Sequence, residues 1–171
     1  MKHFGKKVTY KGVQYDSQKE CDFYRRYLEY CGKRVEVHQR FKLVETFNVG
    51  GYRMRGIDYT PDFVIYDEDN SILHVYDVKT SLSDRGVDSG AKLRFKLFAL
   101  KNNLPVEIVV PRAHDFKMTM FGWTKNAMLD QHVHYDIHGK MKINKKTGQP
   151  IYDHYNVYTN IDYDIHDLVG W

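Results

Sequence analysis

The chain has 171 residues, 42% of them hydrophobic and 28% charged, which suits one globular unit with a core of its own. No run approaches the roughly 20 apolar residues of a membrane span, and two cysteines without a signal peptide fit a reducing cytoplasm and exclude a disulfide scaffold. The net charge of +4 is uneven: residues 1–55 hold 13 Lys/Arg against 6 Asp/Glu, so the first third is the expected phosphate-facing part.

In chain order, residues 6–15 alternate around Lys11-Gly12 and predict a small hairpin. Asp16 or Ser17 then caps a helix that runs to about Cys31 and stops at Gly32, with Phe23, Tyr24, Tyr27, Leu28 and Cys31 at helical spacing. A strand is expected over 39–49, a turn at Gly50-Gly51, and a long strand over 52–66 kinked by Gly56 and Pro61. The acidic turn Asp67-Glu68-Asp69-Asn70 leads into a strand over 71–79. After a polar loop at 80–90 comes a helix from about 90 to 102 with Leu93, Leu97 and Leu100 inward, then a short strand at Val106–Val110. The order α-β-β-β-α-β predicts an α/β fold, with residues 1–129 as the main domain and 130–171 as a β-rich C-terminal extension.

Chemistry concentrates in Tyr59-Thr60-Pro61-Asp62-Phe63-Val64-Ile65-Tyr66, followed by Asp77-Val78-Lys79. A carboxylate opens one apolar strand, and a second sits two residues before a lysine near the end of the next. Alternation along a strand puts Asp77 and Lys79 on the same side. Two acids converging on one sheet edge repel each other unless a hard cation sits between them, and Mg²⁺ takes oxygen ligands. The lysine is then placed to position a water for attack on a phosphodiester. Asp77→Ala removes such a repulsion and is expected to leave the metal-free fold as stable as before, or more so.

Pro61-Asp62 with Asp77-Val78-Lys79 resembles the PD-(D/E)xK signature of the restriction-endonuclease-like nucleases. The preceding Tyr15-Asp16-Ser17-Gln18-Lys19-Glu20 is similar to the Ser-x-x-Glu helix of small phage-encoded members, among them Holliday-junction-resolvase-like proteins. It is also similar to the nuclease subunit of heteromeric transposases, which shares the Tyr-Thr-Pro-Asp-Phe strand. The resemblance covers roughly residues 6–112. It implies an αβββαβ core with a mixed sheet flanked by helices, and a Mg²⁺- or Mn²⁺-dependent endodeoxyribonuclease in the host cytoplasm. It further implies that Glu20, Asp62, Asp77 and Lys79 are catalytic, and that Glu20, Asp62, Asp77 and the Val78 carbonyl hold the metal. The substrate class it favours is branched or junction DNA in phage recombination, cut by a homodimer. A transposase-type or restriction-type subunit, and an inactive DNA-binding relative, are the alternatives.

Each residue has a competing structural reading. Asp77 could form a buried salt bridge with Lys79 or an arginine, and Ser17 with Glu20 makes a capping box without any catalysis. Lys6, Lys7, Arg25, Arg26, Lys92 and Lys96 are candidate DNA contacts, although a solvated helix face explains Lys92 and Lys96 equally well; Arg94 falls on another face. Fourteen tyrosines beside basic residues suit a surface that meets bases and phosphates, or simply a β-rich chain. His132, His134 and Asp136 alternate as metal ligands on a strand do, but with no cysteine pair or second histidine pair the reading is polar surface and not zinc.

Overall fold

A computed structural model describes residues 6–83, 86–122, 132–136 and 138–170. The 129/130 division expected from sequence lies outside those residues. The fold is α/β. Its centre is a six-stranded mixed sheet in the order β14-β11-β10-β9-β8-β3, where β3 is Arg34–Val37, β8 Phe63–Tyr66, β9 Ile72–Val78, β10 Glu107–Pro111, β11 Phe116–Thr119 and β14 Asn156–Tyr158. Only the β9–β10 pair is parallel, joined across helix α2 (Ser89–Asn102).

The first hairpin forms as expected, β1 (Val8–Tyr10) pairing with β2 (Val13–Tyr15) around Lys11 and Gly12, both at positive φ. Ser17 then caps α1 (Gln18–Phe23) by accepting from Glu20 N. The helix changes pitch after Phe23. Residues Tyr24–Leu28 form a π turn, closed by Glu29 N donating to Tyr24 O at 2.8 Å. The wider turn brings Phe23 and Leu28, five apart, both into the core. Phe23 meets Tyr76 and Phe116 edge-on at 5.3 and 5.2 Å, so α1 lies on the sheet face that carries Phe63 and Tyr76.

The expected strand at 39–49 and the long strand at 52–66 are both broken. β4 (Phe41–Val44) pairs with β7 (Ile57–Tyr59), and beyond them β5 (Phe47–Val49) pairs with β6 (Tyr52–Met54) as a separate ribbon around Gly50-Gly51. Gly56 explains the break: a Cβ there would sit 2.3 Å from Val44 O, so only glycine lets the chains cross this closely. β3, which pairs with β8, had no counterpart in the sequence reading.

Helix α2 packs the other way round from its leucine pattern. Ala91, Phe95 and Phe98 are buried, while Leu93 and Leu100 are exposed and Leu97 is partly buried. Phe95 and Phe98 meet the Tyr59 ring at 5.6 and 5.7 Å, and Phe98 meets Phe41 at 5.0 Å. A ring buries more apolar area than a leucine and gains from edge contacts, so the aromatic stripe wins. α2 and β4/β7 therefore cover the face opposite α1.

The tail contributes to the core. β12 (His132–Val133) pairs with β13 (Tyr152–Asp153) outside the sheet, but β14 pairs with β11 and extends it. Helix α3 (Ile165–Val169) buries Ile165 and Val169. Beneath the tail, His74 Nδ1 lies 2.7 Å from Glu107 Oε1, and Nε2 lies 3.1 Å from Ile161 O. The Tyr163 hydroxyl donates to Glu107 Oε2.

Candidate active site

Asp62 stands directly before β8, and Asp77 lies near the end of neighbouring β9. The register pairs Phe63 with Tyr76, and Asp62 N donates to Tyr76 O at 3.0 Å, so strand pairing fixes the two acids side by side. Asp62 Oδ2 accepts from Val78 N at 2.5 Å. Asp77 is buried; its Oδ2 accepts from the Tyr59 hydroxyl at 2.9 Å and its Oδ1 contacts Lys79 Nζ. The i, i+2 alternation thus joins Asp77 to Lys79, as the spacing predicts.

Electrostatics set the two acids apart. Burial pushes the Asp62 carboxyl well above its usual range, and the charges of Asp77 and Glu20 push it further, against Lys79 and the Val78 N–H. Burial alone would lower the Lys79 pKa, but Asp77, Asp62 and Glu20 outweigh it and hold the ammonium above its ordinary value. Lys79 is therefore a cation at neutral pH.

Glu20 is buried and heavily used. Its Oε2 accepts from Asp16 N at 2.9 Å, and its Oε1 accepts from Ser17 Oγ at 3.1 Å while Glu20 N donates to Ser17 Oγ at 3.2 Å. The capping interaction is present. His38 Nε2 lies 3.4 Å from Glu20 Oε2, and ligand atoms of Asp16, Glu20 and His38 fall within 4.8 Å of one another. His38 takes a left-handed backbone (φ 55°) and donates its N–H to Asp62 O at 3.2 Å, tying the end of β3 to the start of β8. Glu20 reaches Asp62 and Lys79 through its field but does not line the cleft between them and α2.

That cleft, about 260 Å³, is lined by Asp62, Asp77, Lys79, Asp58, Tyr59 and Arg94, among others. Arg94 belongs to the 91/94/95/98 stripe of α2, a helical spacing visible in the sequence but set aside for the leucines. Tyr59 lies within the motif itself, whereas nothing in the sequence around His38 marks it. Asp58 is held by Arg40 and by Lys42, the latter at 2.7 Å, and stays well ionised.

The expected DNA contacts lie elsewhere. Lys6 and Lys7 are exposed, with Lys7 3.1 Å from Asp16. Arg25 stacks over Tyr10 at 5.0 Å, and Arg26 donates to Arg112 O at 2.6 Å. Lys92 stands 5.0 Å over the Phe121 ring, and the Lys96 stem packs against Gly122. None of the six lines the cleft. In the tail, Asp136 accepts from His138 N and Lys140 N in its own turn, and His134 pairs with Asp153.

Residues 1–117 match the family described as "Protein of unknown function (DUF1064)". The chain belongs to the DUF1064 family. No curated protein and no solved structure matches it. The DUF1064 match spans α1, the acids, Lys79 and Arg94, and ends within β11; β14, Tyr163 and α3 lie beyond it. Among the described residues no helix is long and apolar enough to cross a membrane.

Proposed function

We propose that this chain is a Mg²⁺- or Mn²⁺-dependent DNA endonuclease with a restriction-endonuclease-like core, selective for branched or junction substrates. The observation that carries the reading is Asp62, Asp77 and Lys79 meeting on adjacent strands at one cleft wall, with the Asp62 carboxyl raised by burial first and by Asp77 and Glu20 after it. The donor set fits the metal: it is all oxygen, as hard cations require, and its net negative charge is what a divalent ion relieves.

Asp62, Asp77 and the Val78 carbonyl would hold the cation, with Glu20 supplying field or a further oxygen. When bound, it supplies Lewis-acid polarisation of the scissile phosphate and a more acidic water. Lys79, held protonated, donates to a phosphate oxygen or to the attacking water and does not act as the base. Arg94, across the cleft, is placed to grip a neighbouring phosphate. Hydrolysis then joins a water oxygen to phosphorus and breaks the bond from phosphorus to the 3′ oxygen; the water's proton passes to solvent and the departing oxygen takes one up, leaving 5′-phosphate and 3′-hydroxyl ends.

The test is incubation of the full chain with linear, flapped, forked and four-way DNA in Mg²⁺, beside Asp62→Asn. Cleavage by the wild type and none by the variant supports the reading. Binding without cleavage of any substrate would refute it in favour of a DNA-binding relative.

A further inference from the structure

The β5–β6 ribbon contributes no side chain to the core. Every residue from 45 to 55 is exposed, including Phe47 (47%), Val49 (58%), Tyr52 (80%) and Met54 (45%). Register places Phe47 opposite Met54 and Val49 opposite Tyr52, so all four share one face, while Asn48 and Arg53 share the other. Scattered exposed hydrophobics are ordinary in folded chains, but four gathered on one projecting face mark an interaction surface.

Size and charge select the partner. A standard protein interface takes about 800 Å² and 20–30 residues from each side, far more than a ribbon of two three-residue strands offers. Residues 46–57 contain Arg53 and Arg55 and no acid. Neither guanidinium forms an ion pair within the described residues. Flat rings on one face of a short ribbon that also carries two cations without an ion pair among the described residues match the bases and the phosphates of one strand. The ribbon also continues through Gly56 into β7, whose Asp58 and Tyr59 line the cleft.

We propose that the ribbon is a nucleic-acid contact that takes unpaired bases on its Phe47/Tyr52 face, with Arg53 and Arg55 neutralising backbone phosphates. The inference rests on the DNA reading above and names the feature of the substrate that is recognised: a base freed from the stack. Apolar wedges of this kind act at distorted or branched steps.

The experiment is equilibrium binding in EDTA, where no cleavage intervenes. Its probes are a fluorescein-labelled duplex and the same duplex with a single-stranded fork carrying 2-aminopurine at the branch. The proteins are wild type, Phe47→Ala/Tyr52→Ala and Arg53→Gln/Arg55→Gln, each with its melting temperature. The aromatic variant is expected to lose ~10-fold or more for the fork, with little change for the duplex and loss of the base-stacking signal. The arginine variant is expected to weaken on both, with a salt slope flatter by about 2. Unchanged fork affinity in folded variants overturns the proposal. So does a dimer broken by the aromatic variant in sedimentation with fork affinity unchanged, which would make the ribbon a self-association face. Failure of the wild type to cut DNA in Mg²⁺ sinks the nuclease reading alone, because the ribbon is read without metal. Failure to bind any DNA sinks both.

Discussion

Asp62 and Asp77 sit side by side, yet their removal should move stability in opposite directions. Asp77→Ala strands the Tyr59 hydroxyl, which is buried and donates to Asp77 Oδ2; an unsatisfied buried donor costs about 1–3 kcal/mol. It also removes the nearest anion from Lys79. Breaking a fully buried pair costs about 3–5 kcal/mol, but the Lys79 side chain keeps 27% exposure, so its share is smaller. Relief of repulsion on Asp62 offsets part of the sum. The net cost is about 2–3 kcal/mol, or a Tm lower by roughly 4–12 °C for a chain of this size. Like-charge repulsion alone gives the opposite expectation, that Asp77→Ala spares the metal-free fold; the Tyr59 hydroxyl and the Lys79 ammonium are what reverse the expected sign.

Asp62→Asn keeps an oxygen to accept the Val78 N–H and removes a charge that burial, Asp77 and Glu20 all oppose. Its Tm in EDTA at pH 7 should equal or exceed that of the wild type. The sign with pH follows. Because the folded carboxyl is raised, its contribution to stability is full below the unfolded value near ~3.9 and is lost as pH rises through the folded value. The advantage of Asp62→Asn should thus appear on raising the pH and vanish in acid. Mg²⁺ should raise the Tm of the wild type and much less that of the variant. Calorimetry of both variants across pH decides the matter. An Asp77→Ala protein that melts at or above wild type, or an Asp62→Asn protein that falls as far as Asp77→Ala, would refute this account of the site.

Lys79→Ala should still show the Mg²⁺-dependent rise in Tm but cleave at least ~10²-fold more slowly; a rate loss explained wholly by lost metal binding would make the lysine structural. Arg94→Ala should weaken cleavage far more than Lys92→Ala/Lys96→Ala, since only Arg94 lines the cleft; the reverse order, measured on one substrate, would place DNA across the outer face of α2. His74 presents both ring nitrogens to acceptors, Glu107 and Ile161 O, an arrangement that favours the imidazolium. Burial opposes that charge, but Glu107 outweighs it and the pKa is raised. Its stabilisation is full below about pH 6.5 and is lost as pH rises through the folded value. Urea midpoints should therefore fall from pH 6 towards pH 9 in the wild type and stay flatter in His74→Gln.

The sequence carried the acids and the lysine legibly because strand alternation and pairing are short-range rules. Once Pro61-Asp62 opens one strand and Asp77-Val78-Lys79 ends its neighbour, the hairpin at 67–70 leaves little freedom in how they meet. The buried face of α2 is not legible because Leu93/Leu97/Leu100 and Ala91/Phe95/Phe98 both satisfy a helical period, and only the rings of Tyr59 and Phe41 choose between them. The broken strands at 39–66 depend on backbone crowding at Gly56, which composition signals only as a kink. His38 was invisible because its role comes from a left-handed backbone and a contact 18 residues away. The tail was read as an appendage because its alternation is local, while its value lies in Ile161 and Tyr163 reaching back to His74 and Glu107.

That last contact has a consequence for how the protein is made. On the ribosome, β9, β10 and β11 emerge and can pair long before residues 156–169 exist. Until then the Glu107 carboxylate lacks its tyrosine, Phe116 lacks the rings of Tyr158 and Tyr163, and β11 offers an open edge. An open edge beside uncovered apolar side chains invites pairing with another nascent chain. Synthesis should thus pass through an interval in which the nascent sheet is sticky, closed only when β14 docks. Slowing translation after residue 131 should increase aggregation, whereas slowing it before α2 should not.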